Sequence, residues 1–314
     1  MYTADPRAHV FDGKLYIYPS HDFEAGIPEN DNGDHFDMKD CHVLSMEDVE
    51  SGEVTDHGMA LHIDNIPWAG RQLWSNDAAH KDGKYYLYFP VKDKKDIFRL
   101  GVGIADTPYG PFKADPSPIP GSFSIDPCLF EDTDGQHYMV WGGLWGGQLQ
   151  RWRTGEYDPL APPEPNDRKP AIGPRFVKMA DDMRHFAETP RELVIWDEQG
   201  NPLLDIDHQR RFFEACWMHK YNGRYYMSYS TGDMHQIVYA IADNPYGPFT
   251  YQGVVLTPVL GWTTHHSIVE YKGQWYLFYH DCELSGGQTY LRSIKVTRLF
   301  YNEDGSINTI DGGI

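Results

Sequence analysis

Three acidic residues stand in settings that suit proton transfer. Glu214 lies within Arg210–Asp233, RRFFEACWMHKYNGRYYMSYSTGD, flanked by Phe212, Phe213 and Trp217. Apolar rings strip water from a carboxyl and lift its pKa toward the range in which a general acid works near neutral pH. The competing reading is a strand-end glutamate paired with Arg210 or Arg211. Repetition favours the chemical reading: Glu214 precedes Gly223 by nine residues, and Asp126 precedes Gly135 by nine. Asp5 holds nearly the same place ahead of Gly13, against the alternative of a frayed terminal aspartate. Such a trio suits hydrolysis of a glycosidic bond. One protonated carboxyl serves the leaving oxygen, one carboxylate activates water on the opposite face, and a third tunes the acid by its charge.

The elements that must position these residues recur. Around Gly13, Gly83, Gly135, Gly223 and Gly273 the runs VFDGKLYIYPSHD, HKDGKYYLYFPVKD, FEDTDGQHYMVWGG, CWMHKYNGRYYMSYS and VEYKGQWYLFYHD share a turn glycine followed by alternating aromatics. This is a hairpin signature. Its spacing, 50 to 88 residues, leaves room for four-stranded blades bearing insertions. The pattern predicts an all-β, five-bladed β-propeller in which residues 1–314 form one domain. Inner strands converge on the axis, so polar groups at equivalent strand starts face one another across a central cavity. ADTPYGPF at 105–112 returns as ADNPYGPF at 242–249 and reads as a blade-edge turn. Strand alternation places Asp126 with Cys128, and Glu214 with Cys216, on shared faces.

A formal charge of −19 disfavours nucleic acid and anionic membrane surfaces as partners. No apolar run is long enough to span a bilayer, and a start at Met1 without a charged-then-apolar leader is the expectation for a cytoplasmic enzyme. Cys41, Cys128, Cys216 and Cys282 read as reduced, buried thiols. Nothing in the composition opposes a homo-oligomer.

Other residues carry two readings each. Trp74 is a sugar-stacking platform or a core ring. His265 and His266 are satisfied core histidines or contacts to a ligand or substrate. Arg292 interrupts an apolar strand, either as a carboxylate partner in the pocket or as a salt-bridged surface residue. WGGLWGGQLQ at 141–150 fits a pocket wall or a blade corner. The acidic and His-containing run Glu29–Asp40 reads as a solvated surface loop, since its spacing matches no EF-hand, with cation binding as the alternative. Ser45-Met46-Glu47-Asp48 is a helix-cap candidate, Lys178–Glu188 a short helix, and Arg153–Arg210 an insertion framing the pocket mouth.

Ala4-Asp5-Pro6, Ser124-Ile125-Asp126-Pro127, Phe213-Glu214-Ala215 and Thr264-His265-His266-Ser267-Ile268-Val269-Glu270, in this order with five hairpins between them, resemble glycoside hydrolase family 43. The resemblance implies a five-bladed propeller and an inverting mechanism, with Asp5 as general base, Asp126 raising and orienting the acid, and Glu214 as general acid. It implies that His265 is the axial histidine that in some members ligates a divalent ion, commonly calcium, and that Arg292 lies near acid and substrate. The sequence departs from the family where Trp-Ala-Pro-Asp is common, carrying Trp74-Ser75-Asn76-Asp77 instead. The match is most similar to single-domain β-xylosidases that trim xylo-oligosaccharides from the non-reducing end. Activity on arabinose-containing oligosaccharides, as an α-L-arabinofuranosidase, is the alternative. A sugar-binding propeller without catalysis is a third reading, opposed by the retention of three mutually repelling acids.

Overall fold

A computed structural model describes residues 1–162 and 168–314. Tyr2–Phe11 (β1), Lys14–Asp22 (β2), Asp40–Met46 (β3) and Thr55–His62 (β4) form the first blade in sequence order. The second holds Ala69–Leu73 (β5), Asp77–Lys81 (β6), Lys84–Asp93 (β7), Phe98–Ala105 (β8) and Lys113–Ala114 (β9), with β5 and β6 both pairing with β7. Cys128–Glu131 (β10), His137–Trp141 (β11), Arg175–Lys178 (β12) and Arg191–Glu192 (β13) make the third. In the fourth, Ile195–Trp196 (β14) runs parallel to the outer strand Phe249–Leu256 (β18), and Ile237–Ala242 (β17), Arg224–Ser230 (β16) and Glu214–Tyr221 (β15) follow inward. The fifth consists of His266–Tyr271 (β19), Gln274–Asp281 (β20) and Ser293–Leu299 (β21).

The first strands of the five hairpins meet at the centre: β1 touches β6 and β19, β10 touches β6 and β15, and β15 touches β19, closing a five-membered ring. The turns explain why the hairpins were readable. Asp12-Gly13, Asp82-Gly83, Asn222-Gly223 and Lys272-Gly273 all place both residues at positive φ, the type I′ requirement that matches strand twist. Only Gly135 is left-handed in the third turn.

Each blade buries both faces, so the middle strands lack a polar side; six of the seven residues of β16 are buried. Aromatics fill the wedges between neighbours. Tyr18, Val43, Leu87 and Phe89 join the first two blades, Tyr88, Leu100, Met139 and Trp141 the second and third, and Leu15, Ile17, Tyr276 and Phe278 the fifth and first. The chain end clasps the fourth blade, Ile310 bridging Leu256 in parallel. All four cysteines are free and buried. Among the described residues no helix is long and apolar enough to cross a membrane.

Three expectations fail here. Lys178–Glu188 is a tight hairpin bridged at Met179 and Phe186, because Asp182 accepts the Arg184 N–H and Met183 turns left-handed where a helix would continue. Ser45 and Met46 end β3, and the Asp48 side chain then caps a turn by accepting the Glu50 N–H, so no helix starts. Among the described residues of the 153–210 insertion, none lines the central cavity; the segment instead supplies the outer strands β12, β13 and β14. The repeated octapeptides do form equivalent turns, between β8 and β9 and between β17 and β18.

Candidate active site

Asp5 and Glu214 occur where their inner strands break register, and Asp126 just ahead of β10. In β1 the pairing with β2 slips between Ala4 and Arg7, and in β15 the pairing with β16 slips between Glu214 and Trp217, so each inner strand carries one extra residue at the same place. Such a bulge bends the strand and re-aims its side chains. Asp5 and Asp126 adopt left-handed φ of 50° and 58°, which aspartate tolerates better than most residues, and Ala215 adopts 59°. The bulge in β15, and the left-handed turn at Asp126 ahead of β10, overturn the alternation argument. Asp126 and Glu214 line the cavity, whereas Cys128 and Cys216 point into the core.

All six residues singled out from the sequence, Asp5, Trp74, Asp126, Glu214, His265 and Arg292, line one cavity of about 250 Å³. Asp5 is buried and held from three sides. Arg292 donates to its Oδ1 at 3.0 Å, Ser20 to its Oδ2 at 2.7 Å, and its own N–H donates to Nδ1 of His280 at 3.0 Å. That last bond fixes the His280 tautomer, with the proton on Nε2 facing the Thr263 carbonyl at 3.0 Å. Arg292 is no surface residue. Its Nε and Nη2 form a two-pronged pair with Asp22 at 2.7 Å each, and the guanidinium lies 4.7 Å from the Phe36 ring centre.

Glu214 has a different environment. Among the described residues its carboxyl receives no hydrogen bond, Gly143 leaving room beneath its Cβ. Burial first, then the charges of Asp126 and Asp5, push it well above the usual carboxylate range. Asp126 accepts the Ala215 N–H at 2.9 Å and is pushed up to about 7, chiefly by burial, with Arg7 opposing and Asp5 adding. Two neighbouring carboxyls, one buried and one half-buried, thus share a site in which full ionisation is disfavoured.

Asp5, Asp126, Glu214, His265 and Arg292 thus share one central cavity. The sequence profile of Glycosyl hydrolases family 43 matches residues 55–307. The chain belongs to this family. A xylosidase/arabinosidase of Bacteroides ovatus is 62% identical over 99% of this chain and 95% of its own length. Xylosidase/arabinosidase 43A of Humicola insolens is 60% identical over 98% and 97%. CoXyl43, a family 43 β-xylosidase/α-arabinofuranosidase from a compost metagenome, solved with xylotriose in a calcium-free form, superimposes with a TM-score of 0.98 at 68% identity, covering 100% of this chain and 96% of that one. Within the family framework Asp5 lies ahead of the matched stretch, and the propeller ring brings it to the other two acids.

The walls were only partly foreseen. Trp74 is both core and wall: its indole N–H donates to the Phe36 carbonyl at 2.7 Å while its ring packs on Phe98. The 29–40 loop is no solvated excursion. Glu29, Asn30, Asp31, Gly33, His35, Phe36 and Met38 line the cavity, and Gln72 and Leu73 tie the loop down through the Gly33 and Met38 carbonyls. Leu144–Gly147 from the WGGLWGG run forms a second wall, where Trp145 meets Phe213 and Trp262. Asp22, Ser20 and His280 escaped the sequence reading, because Arg292 and Asp5 meet them only in the folded chain.

His265 is held neutral, well below the usual imidazole value, by burial and by Arg7. Its Nε2 meets Ser75 Oγ at 3.0 Å, and its buried Nδ1 has no hydrogen-bond partner among the described residues. Among the described residues no trio of His, Cys, Asp or Glu ligand atoms converges at the cavity. The donor set fits only a cation that takes one nitrogen from His265 and the rest of its shell from water.

Proposed function

We propose that the protein is an exo-acting, inverting glycoside hydrolase that releases xylose from the non-reducing end of xylo-oligosaccharides. Glu214 is its general acid, Asp5 its general base, and Asp126 the residue that orients the acid and keeps it protonated. The observation that carries this reading is the split between two carboxyls of one cavity. Glu214 is half-buried, without a hydrogen bond to its carboxyl among the described residues, and raised, while Asp5 accepts hydrogen bonds from Arg292 and Ser20. Acid and base assignments follow when environments separate two carboxyls in this way. The small volume favours one sugar ring bound at the acids over a polymer running through. The xylotriose complex of CoXyl43 supports the substrate class.

In the proposed reaction Glu214 protonates the leaving glycosidic oxygen while Asp5 takes a proton from water entering on the opposite face of the ring. Arg292, fixed by Asp22, keeps Asp5 in place as charge develops. Trp74 and the Trp145–Phe213–Trp262 cluster present ring faces to the sugar and exclude water. We assign His265 to the cavity floor. A calcium ion held there would supply positive charge that offsets the three clustered acids.

Cleavage of α-L-arabinofuranosides is the second reading, favoured by the double names of the relatives. Initial rates on aryl β-xyloside and aryl α-arabinofuranoside, together with Glu214→Gln assayed on xylobiose, test both. A higher rate on the xyloside and a loss of about 10²–10⁴-fold in the variant are expected. Dominance of the furanoside would install the second reading, and an unimpaired variant would remove Glu214 from its role.

A further inference from the structure

Outside the cavity, the first blade brings two imidazoles and a carboxylate together. Ser20 pairs with Cys41 across β2 and β3, so the next step sets His21 beside Asp40, and His42, two residues along β3, shares the Asp40 face. One ligand atom from each of His21, Asp40 and His42 lies within 4.8 Å of the others, and all three side chains are half-buried. Bonds of about 2.0–2.2 Å to a single ion place neighbouring ligand atoms about 3–4 Å apart, so small side-chain rotations suffice. The cluster is supported beyond its own members. Asp56 of β4 holds Nδ1 of His42 at 3.0 Å, which fixes the ring and leaves Nε2 with its lone pair. His62, paired with Asp40 from the other side, adds a third imidazole to the patch. Rigid strands carry every one of these residues.

We propose that His21, Asp40 and His42 form a binding site for a late first-row divalent ion, zinc above all. Two imidazoles with one carboxylate suit zinc, nickel or copper, whereas calcium and magnesium call for oxygen-rich shells. Ion binding exchanges the 2.6 Å His21–Asp40 contact for bonds to the metal and leaves an open position for water. None of the three residues lines the central cavity, so the site stands independently of the hydrolase reading.

Calorimetric titration of the EDTA-stripped protein with zinc chloride tests this. The wild type should bind one ion per chain at this site. His21→Ala and His42→Ala should each weaken that binding at least about tenfold, and Asp56→Asn, which keeps all three ligands, about 10–100-fold. Thermal melting without metal checks that the variants are folded. Absence of saturable zinc binding, or wild-type affinity in folded His21→Ala or His42→Ala, overturns the proposal.

Discussion

In the role proposed for it Glu214 acts only while protonated, and burial with the charges of Asp126 and Asp5 pushes its carboxyl well above the usual range. Asp126 is the nearer of those charges in effect, ranking ahead of Asp5. Replacing Asp126 by Asn deletes a negative charge and leaves an oxygen to accept the Ala215 N–H. Glu214 then ionises more easily, so its pKa falls. Activity disappears as pH rises through that value, and the alkaline limb of the kcat/KM profile should therefore move to lower pH in Asp126→Asn. An alkaline limb left in place would show that Asp126 does not tune the acid. At this scale much was legible, since an acidic residue beside Phe212 and Phe213 already signals a raised pKa. Asp22 was not, because its importance arises only when Arg292, distant in sequence, folds onto it.

The hairpin is the element that repeats, and its aromatic alternation and I′ turns could be read directly from the chain. The bulges in β1 and β15 could not, because an extra residue leaves no compositional mark when the strand is buried on both sides. For the same reason the polar 29–40 loop read as solvated; its backbone is satisfied by Gln72, Leu73 and Trp74, none of which is near it in sequence. This loop meets the 144–147 wall edge to edge. A Cβ on Gly146 would lie 2.8 Å from the Asn32 carbonyl oxygen, and one on Gly33, itself at φ 69°, would lie 2.7 Å from the Trp74 ring. Gly146→Ala must push the two walls apart while sparing the acids. Steady-state kinetics on xylobiose and xylotriose should show KM rising several-fold with kcat changed less, the pattern of lost substrate binding. A selective fall in kcat would place the damage at the chemistry instead.

Across the whole molecule, the ring is drawn together by Arg7. This wholly buried side chain of β1 donates to the Cys216 carbonyl at 2.6 Å and reaches the His266 and Asp126 carbonyls at 3.5 Å each, so one guanidinium contacts three other blades. Removing it orphans buried acceptors of about 1–3 kcal/mol apiece. Arg7→Met should lower the unfolding free energy by about 3 kcal/mol or more in urea denaturation, and a loss below about 1 kcal/mol would refute the clamp. The five-fold count was visible from the glycines, but the clamp was hidden, since Arg7 meets the Cys216, His266 and Asp126 carbonyls only once the inner strands converge. Convergence also brings Asp5 of β1 and Glu214 of β15 to one cavity, and the roles proposed for them require inversion at the anomeric carbon. Proton NMR of the first sugar released from an aryl β-xyloside tests this most directly: the account predicts that α-xylose appears before mutarotation, and β-xylose as the first product would contradict it.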